Sequence, residues 1–221
     1  MSLSPTPDQP LVIVGAGPVG LAAAAHAVER GLPVTVLEAG PTVGAAVLEW
    51  GHVRLFSPWS ELVDDAAARL LEPTGWVRPA GEAAPTGREW VEAYLRPLAE
   101  ALLDHMAELT SGMMIAALEQ VGQYVDVALF PDDLGMQDMC LVSPAMYRRL
   151  LKPRHRKLVE AIKSCTKAKV LMHSDGSIYH LLPDLIDIGV EAINPVQTTA
   201  KNMEAARLKA EFGDHLGFWG A

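Results

Sequence analysis

Apolar residues first gather in Leu11-Val12-Ile13-Val14, a short, unbroken, largely β-branched run. Such a run predicts a strand buried on both faces. Small apolar residues then fill Leu21 to Arg30 and predict a helix that Gly31 ends; Pro33 to Glu38 predicts a second strand. Taken whole, Leu11 to Val28 has the apolar character of a membrane span or signal peptide. Three glycines, Pro18 and His26 interrupt it, and no Lys or Arg precedes it, so a buried strand followed by a small-residue helix accounts for it better.

Further along, the pattern predicts a helix from about Glu100 to Val121 and then an alternation of strands and helices. Strands are expected at Tyr124 to Phe130, Lys169 to His173, Glu191 to Asn194 and Leu216 to Trp219. Between them, Ser143 with Pro144 reads as an N-cap and first-turn proline, opening a helix with Met146, Leu150, Leu158 and Ile162 on its apolar face. Helices from Ser177 to Ile188 and from Met203 to Phe212 end at Gly189 and Gly213. Alternating strands and helices imply parallel pairing with right-handed crossovers, and chemistry beyond the carboxyl ends of the strands.

Residue usage divides the chain near position 100. Lysine is absent before it and frequent from Lys152 onward; methionine other than Met1 begins at Met106; Trp50, Trp59, Trp76 and Trp90 precede it against Trp219 after it. Three skews breaking at one place suggest two sequences of different origin, and the expected domains are residues 1–99 and 100–221. With half of its 221 residues apolar, the chain is rich enough to pack a core. A net charge of −9 argues against a nucleic-acid partner. Cys140 and Cys165 form no CxxC pair, which suits a reducing cytoplasm and excludes a disulfide framework.

Gly15-Ala-Gly-Pro-Val-Gly20 lies between the first strand and first helix, where each glycine has a task. Gly15 permits the tight turn, Gly17 lets backbone approach a pyrophosphate, and Gly20 lets helix and strand pack closely; Pro18 opens the helix. The helix start then offers free N–H groups and partial positive charge to the phosphates. Glu38 closes the second strand where a carboxylate accepts hydrogen bonds from an adenosine ribose, and its charge disfavours the 2′-phosphate of NADP. The spacing therefore predicts an adenine-dinucleotide site. His52 and Arg54 read more readily as a polar loop residue and a surface cation than as cofactor contacts, and Trp50, Phe56 and Trp59 as core.

In the second part the polar residues at strand ends form the candidate site: Asp132 and Asp133, His173 and Asp175, Asn194 and Gln197. Adjacent carboxylates suit acid/base work or a metal, and His173-Ser-Asp175 offers two zinc ligands from one turn. Asp133-Leu-Gly and Asp175-Gly are also ordinary turn chemistry. Lys152-Pro-Arg-His-Arg-Lys157 reads as a solvated helix face, because no aromatic residue interleaves with it.

Two resemblances follow. The turn, with Glu38-Ala-Gly-Pro-Thr-Val-Gly44 and Trp50-Gly-His-Val-Arg-Leu-Phe-Ser-Pro-Trp59, resembles the amino end of flavin-monooxygenase-like oxidoreductases over about residues 10 to 99, which implies FAD. Those families usually carry a second glycine where Ala45 stands, and they need later segments that this sequence lacks. The second part resembles the later barrel portion of the uroporphyrinogen decarboxylase and cobamide-dependent methyltransferase superfamily. The matching phrases are Asp132-Asp-Leu-Gly135, Ser143-Pro-Ala-Met-Tyr147, Lys152-Pro-Arg-His155, His173-Ser-Asp-Gly176, Asp184-Leu-Ile-Asp-Ile-Gly189, Asn194-Pro-Val-Gln197 and Phe218-Trp-Gly220. In the methyltransferase branch His-x-Cys binds zinc; here Asp175 stands at the cysteine place, leaving His173 as the implied ligand.

The expected fold is α/β, a Rossmann-like βαβ unit joined to a partial (β/α) barrel of parallel units. A partial barrel leaves open strand edges, so a homodimer or partner chain is expected to complete it. The expected function is a fusion of two enzyme fragments in which dinucleotide binding survives, with a small-molecule substrate and no membrane or nucleic-acid partner. The alternatives are an active decarboxylase or methyltransferase of that superfamily, a flavin oxidoreductase whose second part caps the fold, and a non-catalytic binding or assembly protein.

Overall fold

The computed structural model describes residues 10–79 and 81–220. The chain forms two compact units, Met1–His105 and Met106–Ala221. The division falls inside one long helix, Arg96–Val121, whose Leu98 and Ala101 belong to the first core and whose Leu118 belongs to the second.

In the first unit β1 (Leu11–Val14) and β2 (Val34–Leu37) pair in parallel, Leu11 opposite Val34 and Val14 opposite Leu37, through the crossover helix α1 (Pro18–Glu29). The expectation of a strand buried on both faces fails. Leu11, Val12, Val14 and Leu37 are exposed, because the described sheet has only two strands and no second layer of helices to cover its outer face. The core lies instead on the α1 side, where Leu21 and Ala25 meet Ala67 and Leu71 of α2 (Asp65–Leu71), with Tyr94, Leu95 and Leu98. Asp64 caps α2 by accepting the Ala66 and Ala67 N–H groups at 2.9 and 3.0 Å. Of the aromatic residues expected in the core, Trp59 packs against it, whereas Trp50 is exposed and Phe56 wholly so. Phe56 lies in the irregular segment before the short helix Trp59–Leu62.

The second unit is a four-stranded parallel sheet in the order β3 (Val127–Pro131), β4 (Lys169–His173), β5 (Ala192–Asn194), β6 (Gly217–Phe218). Among the described residues β3 and β6 each have one strand neighbour, so the sheet is open at both edges. Strand alternation sorts the side chains. Ala128, Phe130, Val170, Met172 and Ile193 join the helices in one core. On the other face Leu129 stands opposite Leu171, and Pro131, His173 and Asn194 form the next row toward the carboxyl ends. Val127 and Leu129 of that face are exposed. No described helix is long and apolar enough to cross a membrane.

The helix after β3 begins as expected, Ser143 accepting the Met146 N–H at 3.2 Å. A π-helical turn at Tyr147–Leu151 precedes α3 (Lys152–Cys165) and shifts the phase of the buried face. Tyr147 and His155 are buried with Leu158, Val159 and Ile162. The solvated-face reading of Lys152 to Lys157 holds at the exposed Pro153 and Lys157 and is corrected at Lys152 and His155. His155 is core, and Lys152 reaches the buried Asp184 and the exposed Asp187 of α4 (Leu182–Asp187), both at 2.8 Å. Arg148 binds the Asp184 carboxylate at 2.9 and 3.1 Å, and Arg156 binds Asp187 at 2.7 Å. Lys152 and Arg156 of the basic run, with Arg148 before it, clamp two helices together.

Glu191, just before β5, accepts from Lys163 at 2.7 Å, Lys169 at 2.8 Å and the Val170 N–H at 3.1 Å. Partial burial raises its pKa, but these donors outweigh it and hold the carboxyl at about 2. A folded-state pKa below the unfolded value adds stability that is complete above the ordinary carboxylate range and disappears as pH falls toward 2. Glu191→Gln is expected to lose about 1–2 kcal/mol at neutral pH, allowing for solvent screening of the lysines. Chemical denaturation of both proteins between pH 7 and pH 2.5 checks this; the gap should narrow on acidification.

Candidate functional site

The Gly-rich turn is built by the parallel pair. Gly15 has φ +98°, a conformation that excludes side chains, and donates its N–H to Leu37 O at 2.6 Å, which ties the turn to the end of β2. Gly17 is the extended N-cap of α1 and Pro18 its first residue. A Cβ on Gly20 would lie 1.9 Å from Gly15 O and 3.3 Å from Ile13 Cγ2, whereas a Cβ on Gly17 would meet nothing within 4 Å. The turn is therefore closed on its helix–strand side and open on the other, which is the shape a bound diphosphate requires. Glu38 Oε2 accepts the Ala16 N–H at 2.6 Å and Oε1 accepts the Gly40 N–H at 2.7 Å. Each oxygen retains a lone pair for a sugar hydroxyl. Ala16 O in turn accepts the Gly44 N–H at 3.0 Å, so the segment after Glu38 folds back onto the turn. Arg54 donates to Ala84 O, a loop bond that matches its reading as a cation outside the site.

In the second unit the carboxyl ends of β3 and β4 bring Asp133, His173 and Asp175 together, one ligand-capable atom of each lying within 4.8 Å of the others. Asp133 Oδ1 accepts the Asp175 N–H at 3.0 Å and lies 3.9 Å from His173 Nε2. The two loops meet at glycines. A Cβ on Gly135 would lie 2.4 Å from Asp175 O, and one on Gly176 would lie 2.5 Å from the Gly135 carbonyl carbon. What reads in sequence as turn chemistry is a backbone-to-backbone junction.

The His173 ring is oriented from behind. Asn194 donates from Nδ2 to Trp219 O at 3.1 Å, which turns its Oδ1 to His173 Nδ1 at 3.0 Å. An amide oxygen only accepts, so Nδ1 carries a proton and leaves Nε2 as the ring atom on the side of Asp133. In the neutral ring Nε2 offers a lone pair, and with the two carboxylates it makes a set of three ligand-capable atoms. Gln197, the other polar residue expected here, accepts the Gly176 N–H at 2.8 Å and braces that loop. A cleft of about 310 Å³ lined by Val127, Leu129, Leu171, Asn194 and Trp219 opens on the same face.

Asp132 does not join the cluster, which corrects the picture of two carboxylates working side by side. Strand alternation sends it to the helix side, where Oδ2 meets His155 Nε2 at 2.9 Å; His155 Nδ1 meets Tyr147 OH at 3.2 Å. Burial, with the charges of Asp184 and Asp132 nearby, pushes the Tyr147 phenol well above its ordinary range, so it stays neutral. His155 and Tyr147 escaped the sequence reading, although His155, Leu158, Val159 and Ile162 fall at apolar-face spacing.

A βαβ turn with an acid at the second strand, and a partial parallel barrel with three ligand-capable side chains gathered at its carboxyl ends, define a chain of two α/β folds. Residues 87–220, more than half of the chain, match the family model of uroporphyrinogen decarboxylase (URO-D), and the chain belongs to that family. Residues 13–75 match the model of the NAD(P)-binding Rossmann-like domain, to which the first unit is similar. No curated protein and no solved structure matches the chain.

Proposed function

We propose that this chain is a fusion of two enzyme-derived parts whose retained activity is binding of an adenine dinucleotide, FAD, by Gly15, Gly17, Pro18, Gly20 and Glu38. The carrying observation is the asymmetric turn: Gly20 closed against Gly15 O and Gly17 open to a ligand. The amides at the start of α1 would face the diphosphate and Glu38 the adenosine ribose. FAD, when bound, supplies an acceptor for a hydride or an electron pair. Titrating the purified chain with FAD and with NAD, followed by flavin fluorescence and calorimetry, tests this. Saturable FAD binding that outcompetes NAD is expected, and a chain that takes up neither would overturn it.

A second reading, an active decarboxylase or methyltransferase of the superfamily working on a small molecule, is favoured by the convergence of Asp133, His173 and Asp175. Asp133, Asp175 and His173 Nε2 offer two carboxylate oxygens and a neutral imidazole, a donor set that fits zinc with one position open. Zinc would supply a Lewis acid beside the cleft. His173→Ala is expected to weaken Co²⁺ or Zn²⁺ binding at least about tenfold, measured by equilibrium dialysis with metal analysis; equal metal content in both proteins would count against the site.

The open edges of β3 and β6 support closure of the barrel by a second copy or a partner chain. Light scattering on the pure chain, read for a dimer mass, checks that part. A cytoplasmic location is supported by the free thiols of Cys140 and Cys165.

A further inference from the structure

We infer that His155, held by Tyr147, is a positioning residue that sets the Asp133–His173–Asp175 cluster through Asp132. This rests on the reading of that cluster as a cation site. Asp132 and Asp133 are adjacent but face opposite ways, one toward the helices and one toward the cluster. Asp132 is pinned at two points: its carboxylate takes a hydrogen bond from His155 Nε2 at 2.9 Å, and its backbone N–H donates to His173 O at 3.0 Å. The next residue, Asp133, then has its carboxylate where the Asp175 N–H and His173 Nε2 converge.

His155 suits this task because both its nitrogens are engaged in the core. Its ring packs between Phe130 and Tyr147, each with ring centroids 5.7 Å away. A carboxylate only accepts, so Nε2 carries the proton and Nδ1 takes the Tyr147 hydroxyl proton as acceptor when the imidazole is neutral. The order phenol, imidazole, carboxylate gives the end of β3 one orientation, anchored in the core and not in a mobile loop. A histidine that merely filled core volume would need no partner on the strand end that carries a ligand. Outer residues that orient ligands govern metal affinity by about 10–100-fold.

The test uses the full chain with Co²⁺ as probe, its visible absorption reporting both affinity and coordination. His155→Phe keeps volume but removes the donor; His155→Gln keeps a donor at the Nε2 place; Asp132→Ala and Tyr147→Phe remove the other links. His155→Phe and Asp132→Ala are expected to weaken Co²⁺ about tenfold or more and to alter the spectrum. Tyr147→Phe should lose less, and His155→Gln should bind within about threefold of the original chain. Thermal unfolding run alongside separates affinity from stability. A folded His155→Phe protein with unchanged affinity and spectrum, or a His155→Gln protein as weak as His155→Phe, overturns the inference. Should the unaltered chain bind no Co²⁺, the cation reading fails, and the Asp175 amide decides the positioning claim without metal. Its proton should be protected from exchange in the unaltered chain and in His155→Gln, and exposed in His155→Phe and Asp132→Ala. Equal protection in all four overturns it.

Discussion

Gly176→Ala is expected to cost about 2–4 kcal/mol of stability and to remove cation binding by the second unit. Two effects add. Gly176 has φ +81°, a conformation that charges any residue with a Cβ about 1–2 kcal/mol. The new Cβ would also lie 2.5 Å from the Gly135 carbonyl carbon and 2.7 Å from both Gly135 O and Met136 N, all of them backbone atoms that cannot swing aside. Relief requires the loops after β3 and β4 to part. That would break the Ser177 N–H to Met136 O bond, 2.7 Å, and the Asp175 N–H to Asp133 bond, 3.0 Å. Gly135→Ala separates the causes. It keeps an ordinary φ yet places a Cβ 2.4 Å from Asp175 O. If contact is the main effect, it should lose cation binding as fully as Gly176→Ala while costing less stability. Denaturant melts and Co²⁺ titration of the two variants give the answer; retained binding in both would mean that the loops are not joined at these glycines.

Gly20→Ala is expected to abolish FAD binding, with a loss of at least about a hundredfold, or roughly 2.8 kcal/mol. A Cβ 1.9 Å from Gly15 O cannot be accommodated without lifting α1 from β1 or flattening the turn that Gly15 makes, and either movement misdirects the helix amides. Gly17→Ala is the informative companion. Nothing lies within 4 Å of its Cβ, so the free protein should lose at most about 1 kcal/mol, the ordinary cost of alanine at an N-cap. The bound diphosphate would meet that methyl, and FAD affinity should fall about tenfold or more. Unchanged FAD affinity in Gly17→Ala, measured beside its melting curve, would remove the ligand from that side of the turn.

Much of this molecule was legible before any coordinates. Unbroken apolar runs, glycine and proline punctuation and the Ser143 cap marked nearly every strand and helix of the alternating part, because these signals act within a few residues. The same local logic gave the βαβ turn, where spacing alone specifies which glycine meets which backbone atom. That Asp133, His173 and Asp175 come together could be read from their places at strand ends, which in parallel sheets converge on one edge.

What the sequence could not give depends on partners distant along the chain. Leu11 to Val14 reads as fully buried, yet whether a strand has layers on both sides is a property of its neighbours. Asp132 and Asp133 look alike in sequence; only the facing of β3, and His155 reaching it from α3, turns one toward the helices and the other toward His173 and Asp175. Lys152 likewise reads as solvated until Asp184, more than thirty positions away, takes it up. Local hydrogen bonding and apolar periodicity set the elements; the burial of each polar group, and so its chemistry, was decided by tertiary packing.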